Sequence, residues 1–188
     1  RRLDLLDPSP LDVEIEDIAH GLARVARWNG QTRGPHIFSV AQHSVLVEHI
    51  ASHLDSNISA KTRAMVLLHD APEYVIGDII SPFKTVIGET YKDVEARLLA
   101  AIHLRFALPP KPSQLVMKVT KTADRAAAFI EATHLAGFTF EEADKFFGRP
   151  DMSLRDIDHW LQPMSSQQAE EVFVTRFRAL EAEFADEA

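Results

Sequence analysis

From Ser113 to Leu135 the chain meets neither glycine nor proline, and only seven glycines occur in its 188 residues. Such breaker-free stretches leave little room for the tight turns that many short strands need, so they favour helices. The apolar spacing agrees. Ile15, Ile18, Leu22 and Val25 recur at helical intervals and predict a first helix over Val13 to Arg27. A second is expected from Ser39 to Leu54, with Val40, His43, Val47, Ile50 and Leu54 on one stripe. A third runs from the N-cap Ser59 through Ala64, Leu67 and Leu68 until Pro72, which has no N–H to donate back to Leu68. A fourth covers Tyr91 to Phe106, and Ser113 caps a long fifth that Gly137 ends. Thr139 with Glu142, and Ser165 with Gln168, fit capping boxes that open a sixth helix and a last one, whose stripe is Ala169, Phe173, Phe177, Leu180 and Phe184. Trp28 to Pro35 reads as a loop, Gly77 to Thr90 as mixed, with Ser81-Pro82 resembling a helix start, and Pro109 to Pro112 as a stiff connector. No segment alternates as a strand. The expectation is an all-α, single globular fold of about six to eight helices, with a core over about residues 13–135 and C-terminal helices over about 139–186 packed on it.

Charge and cysteine content narrow the function. Acidic residues outnumber basic ones, 28 to 20. A binder of nucleic-acid polymers needs a basic field, which this balance does not supply. A small phosphorylated ligand stays open, because a metal or a local arginine can bring the positive charge. The absence of cysteine excludes disulfides, iron–sulfur clusters, thiolate zinc sites and cysteine nucleophiles. Any metal must therefore rest on His, Asp or Glu. No run of about 18 apolar residues predicts a membrane span. Arg1-Arg2 leads into Leu3-Asp4-Leu5-Leu6-Asp7, without the apolar centre of a signal peptide. A cytoplasmic location is the expectation, for a segment that can begin inside a longer chain.

Two places put charged groups where apolar ones belong. His69-Asp70 ends the run Met65-Val66-Leu67-Leu68, and Asp124 lies between Val119 and Ile130 among small alanines that permit close helix approach. Burying an ionised carboxylate there is costly unless a cation or several hydrogen bonds compensate it. His43 lies on the apolar stripe of the second helix. Three helices then present ligands inward, two imidazoles and two carboxylates. This mixed set suits Mn, Co, Fe, Ni or Zn, and Mg less well. A metal held so can polarise a phosphoryl group and acidify water. The plainer reading is a buried polar network without a metal. Glu73 falls one turn beyond His69-Asp70 and is a candidate general base. Asp78 follows the glycine turn at Gly77. Their plainer roles are a first-turn helix charge and a cap.

The ordered set His43, His69-Asp70, Asp124 resembles the H…HD…D signature of the HD-domain phosphohydrolases. The similarity is greatest to the bacterial 5′-deoxynucleotidase branch, over Arg27-Trp28, Gln42-His43-Ser44, His69-Asp70-Ala71-Pro72-Glu73, Gly77-Asp78, Pro82-Phe83-Lys84 and Ala123-Asp124. It covers roughly the first 135 residues. Pro72 departs from the small polar residue of those nucleotidases, and the loop Asn29 to Ile37 differs in composition. The resemblance implies an HD-domain helical fold with one divalent metal on His43, His69, Asp70 and Asp124. It implies hydrolysis of a phosphate ester or anhydride of a deoxynucleoside, with Glu73 as catalytic carboxylate and Asp78 as a second acid. It makes Arg27 and Trp28 substrate contacts, an arginine fork for phosphate and an indole for sugar or base. It also implies a homodimer. Lys84 and the loop residue His36 are further candidates for phosphate contact. The activity expected is hydrolysis of a deoxynucleoside monophosphate to deoxynucleoside and phosphate. A triphosphohydrolase of the same fold, a non-catalytic nucleotide-binding regulatory module and a purely structural helical protein are the alternatives.

Overall fold

The structure, a computed structural model, describes residues 3–79, 86, 88–151 and 157–186. The expected Ser81-Pro82 helix start and the candidate Lys84 lie outside them. Among the described residues there are eight α-helices: α1 (Ile15–Leu22), α2 (Val40–Leu54), α3 (Ala60–Leu67), α4 (Glu73–Ile76), α5 (Glu89–Arg105), α6 (Gln114–His134), α7 (Phe140–Phe147) and α8 (Ser166–Asp186). No strand forms among these residues; Ala26 and Ser39 make one isolated antiparallel bridge.

Local chemistry sets most helix starts where the sequence places them. The hydroxyls of Ser39, Ser59 and Ser113 accept from the amides of Gln42, Thr62 and Val116. Each satisfies one of the amides that a helix N-terminus leaves without an intrahelical partner. Thr139 and Glu142 form the expected reciprocal capping box. Gly137, at φ 79°, takes the left-handed conformation that lets the chain leave α6.

The first helix is the exception. It stops at Leu22 rather than reaching Arg27. The chain instead turns to pair with the approach to α2: Arg27 N–H donates to Phe38 O and Val40 N–H to Val25 O, both at 2.9 Å. Arg27–Gly30 then forms a tight turn in which Trp28 (φ 56°, ψ 31°) and Asn29 (φ 50°, ψ 31°) are left-handed.

Helix α2 is the axis of the fold. It is buried without a break from Val40 to Glu48, the mark of a helix enclosed on all sides. Against one side pack α1, α3 and α8, through Ile18, Leu22, Leu67, Phe173, Phe177 and Leu180. Against the other packs α6, through Ala123, Ala127 and Ile130 with Leu46, Val47 and Ile50. Burying each such large side chain contributes about 1.5–3 kcal/mol. Gln42 also fastens the segment before α8, donating to Gln162 O at 2.9 Å and accepting from Met164 N at 3.0 Å. Helix α1 packs tightly on α4. A Cβ on Gly21 would lie 2.8 Å from both Cβ and O of Tyr74, so glycine permits the approach.

Candidate metal centre

His43 sits in the first turn of α2, one turn past its Ser39 cap, and is wholly buried. His69 and Asp70 are not helical. They occupy the turn after α3, which closes through His69 N–H to Val66 O and Ala71 N–H to Leu68 O. The sequence expectation of three ligand-bearing helices is corrected to two helices and a turn. Pro72 does not end α3, which has already ended; it precedes α4, which carries Glu73. Asp124 lies midway along α6.

Packing of α2 between α3 and α6 brings these groups together. One ligand atom from each of His43, His69 and Asp124 lies within 4.8 Å of the others. The Nε2 of His43 is 3.2 Å from Asp124 Oδ1 and 3.5 Å from Asp70 Oδ2; that of His69 is 3.2 Å from Asp70 Oδ2. Each buried Nε2 atom faces a carboxylate at ion-pair distance without an aligned hydrogen bond. Each ring is oriented through its other nitrogen: His69 Nδ1 lies 2.8 Å from Val66 O, and His43 Nδ1 lies 2.5 Å from Glu131 Oε1. A carbonyl or ionised carboxylate oxygen can only accept, so both Nδ1 atoms donate. Two inward nitrogen positions beside two carboxylates make a donor set that fits a divalent metal.

The electrostatics call for a cation. Burial disfavours charge on Arg27, yet Glu131, Asp70, Asp78 and Asp124 hold it more firmly protonated than an ordinary arginine. Burial likewise opposes ionisation of Asp70, but His69, His43 and Arg27 keep its carboxyl well below the usual range. Burial and Arg27 oppose charge on His43; Glu131 and Asp124 outweigh them and push it up to about 10. Without a metal, a proton answers the carboxylates' demand for positive charge.

The remaining candidates divide. Arg27 approaches Asp78, with Nη1 to Oδ2 at 3.6 Å, and turns its other face to Glu131. Asp78 thus meets a guanidinium as well as following the Gly77 turn, at φ 76°. Glu73 is 2% exposed. Trp28 packs edge-on against Phe138 and Phe147 and donates from Nε1 to Glu131 Oε2 at 2.9 Å. Much of its indole is committed to packing. His36 lies exposed on its loop.

Glu131 is the residue that the sequence reading missed. It is fully buried on α6, seven positions after Asp124. The signal was there: an acid inside Ala126-Ala127-Ala128-Phe129-Ile130-Glu131-Ala132, two turns along the same face as Asp124.

The centre opens outward. Asp124 keeps 41% of its side chain exposed. With His69 it lines a cavity of about 300 Å³ whose walls include Met65, Leu99, His103 and Val116.

A helical domain that gathers two histidines and an aspartate, with a second aspartate adjoining, has the make-up of the HD-domain phosphohydrolases. Residues 18–142 match the family described as 5′-deoxynucleotidase YfbR-like, and the chain belongs to that family, within the HD-domain superfamily. An uncharacterized protein of Rhodobacter capsulatus is 54% identical over 151 residues, 80% of this chain and 77% of that protein. No helix among the described residues is long and apolar enough to cross a membrane.

Proposed function

We propose that the protein hydrolyses deoxynucleoside monophosphates to deoxynucleoside and phosphate. The observation that carries this reading is the pair of buried imidazole Nε2 atoms, without aligned hydrogen bonds, that face Asp70 and Asp124. We assign His43, His69, Asp70 and Asp124 as ligands of one divalent ion, which when bound supplies a Lewis acid and lowers the pKa of water. Glu73, buried one turn past Asp70, orients the attacking water or takes its proton. Water adds to phosphorus as the bond to the sugar oxygen breaks. Arg27 supplies fixed positive charge for the phosphoryl oxygens, and Asp78 holds that guanidinium in place. The cavity of about 300 Å³ beside His69 and Asp124 is at the lower end of the size range of small-molecule sites.

The test is a phosphate-release screen over deoxynucleoside mono-, di- and triphosphates with Mn, Co and Mg. Metal-dependent release of one phosphate from the monophosphates is expected. Triphosphate released from dATP would reassign the protein to the triphosphohydrolases, and tight binding without turnover to a regulatory module.

A further inference from the structure

We infer that Glu131 is a positioning residue: the two oxygens of its one buried carboxylate join the metal-site histidine to the Arg27-Trp28 turn. This inference rests on the reading of His43 as a metal ligand. Oε1 accepts from His43 Nδ1, and Oε2 accepts from Trp28 Nε1 at 2.9 Å and from Arg27 Nε and Nη2 at 3.4 Å each. Every donor comes from outside α6. The carboxylate thus makes no bond within its own helix and gathers two other segments onto it.

The two histidines show what is special about this arrangement. His69 is oriented by Val66 O, a backbone atom three residues away in its own turn. That orientation comes with the local fold. His43 has no such backbone acceptor on Nδ1; a side chain 88 positions distant serves instead. A carboxylate behind a ligating histidine fixes the ring and raises its basicity. Here the same carboxylate also restrains the turn at Trp28 and Asn29, both left-handed without being glycine. Such backbone persists only where its surroundings over-determine it. The packing of Trp28 on Phe138 and Phe147 and its N–H on Glu131 provide that constraint. One side chain therefore sets the register between the metal centre and the arginine assigned to phosphate.

The geometry makes a sharp demand. Donors approach both oxygens, so the site needs two acceptors. A carboxylate has two; an amide of the same shape has one acceptor and one donor. Glutamine can satisfy either the His43 arm or the Arg27-Trp28 arm, never both.

The experiment compares the wild-type chain with Glu131→Gln and Trp28→Phe, titrating Co²⁺ by calorimetry and following its visible absorption. Glu131→Gln is expected to bind Co²⁺ about 10–100-fold more weakly, the usual effect of losing a partner behind a metal ligand, with an altered spectrum and unchanged far-ultraviolet circular dichroism. Trp28→Phe leaves the His43 arm intact. It is expected to bind Co²⁺ within about twofold of wild type while raising KM for a deoxynucleoside monophosphate. Wild-type Co²⁺ affinity in Glu131→Gln overturns the inference and leaves the metal assignment standing. Failure of the wild type to bind Co²⁺ overturns the metal assignment and the inference together. Should Glu131→Gln not fold, the zinc-loaded wild type decides through long-range proton–nitrogen correlation. His43 bound through Nε2 with a downfield proton on Nδ1 supports the inference, and binding through Nδ1 overturns it.

Discussion

Two buried glutamates, Glu48 and Glu131, show how the same side chain serves structure in one place and chemistry in another. Glu48 is 1% exposed on α2, five positions after His43 and so about 140° further round the helix. It receives Arg63 Nε at 2.8 Å, Arg176 Nε and Nη2 at 2.7 and 2.9 Å, and Ser52 Oγ at 2.9 Å. Cations from α3 and α8 hold the carboxylate, and the result is a closed clasp binding three helices. Glu131 is equally buried, but its strongest donor is a histidine whose second nitrogen has no aligned hydrogen bond. The chain of interactions ends in an open position facing two aspartates. A closed set of charges holds helices together, whereas an open one leaves room for a ligand.

Deleting charge on the open side should have the largest effect, and should fall on activity. Asp70→Ala is expected to lose both metal and hydrolysis, by about a thousandfold or more in kcat/KM, read by metal analysis of the purified protein and by phosphate release. Glu73→Ala should retain the metal and lose turnover by about 10²–10⁴-fold. Full activity in Asp70→Ala would falsify the metal assignment. On the closed side the sign of the comparison reverses. Glu48→Ala should leave hydrolysis per folded molecule unchanged and lower stability by about 2–3 kcal/mol, measured by urea unfolding. A broken buried ion pair costs about 3–5 kcal/mol, and the figure is reduced here because Arg63 and Arg176 keep 22% and 30% of their side chains exposed. A loss of activity without loss of stability would break the division between the two glutamates.

How much of this the sequence could say follows from how local each feature is. The caps at Ser59, Ser113 and Thr139 and the helix start near Ser39 were legible because each is settled within four residues. The gathering of His43, His69 and Asp124 was legible because polar groups inside apolar runs demand compensation. Glu131 met that same rule and was read only as a position in a long helix. The premature end of α1 was not legible. Val25 falls at helical spacing, and the competing pairing with Phe38 and Val40 is made across more than ten residues. Nor does any local signal announce left-handed backbone at Trp28, a residue that seldom adopts it.

The last comparison separates the two regions by the sign of their response to pH. Burial resists ionisation of Glu48, but Arg176 and Arg63 lower its pKa beneath the ordinary 4.5. The unfolded chain therefore takes up this proton before the folded one does, and the clasp's contribution, complete above about pH 4.5, is lost as pH falls further. His43 behaves in the opposite way in metal-free protein. Unfolded, it releases its proton near 6.5; folded, the carboxylates of Glu131 and Asp124 overcome burial and Arg27 and hold it to about 10. Between these values the folded state carries the extra proton, so stability falls as pH rises, by at most about 1.4 kcal/mol per pH unit for one proton. A bound metal replaces that proton on Nε2 and removes the slope. Urea unfolding of chelator-treated and Co²⁺-loaded protein across pH 6.5 to 9 measures the difference. An alkaline decline in the chelated sample alone is the expected result. Equal slopes in both would mean that proton and metal do not compete for His43, and that the open position beside Glu131 is no metal ligand.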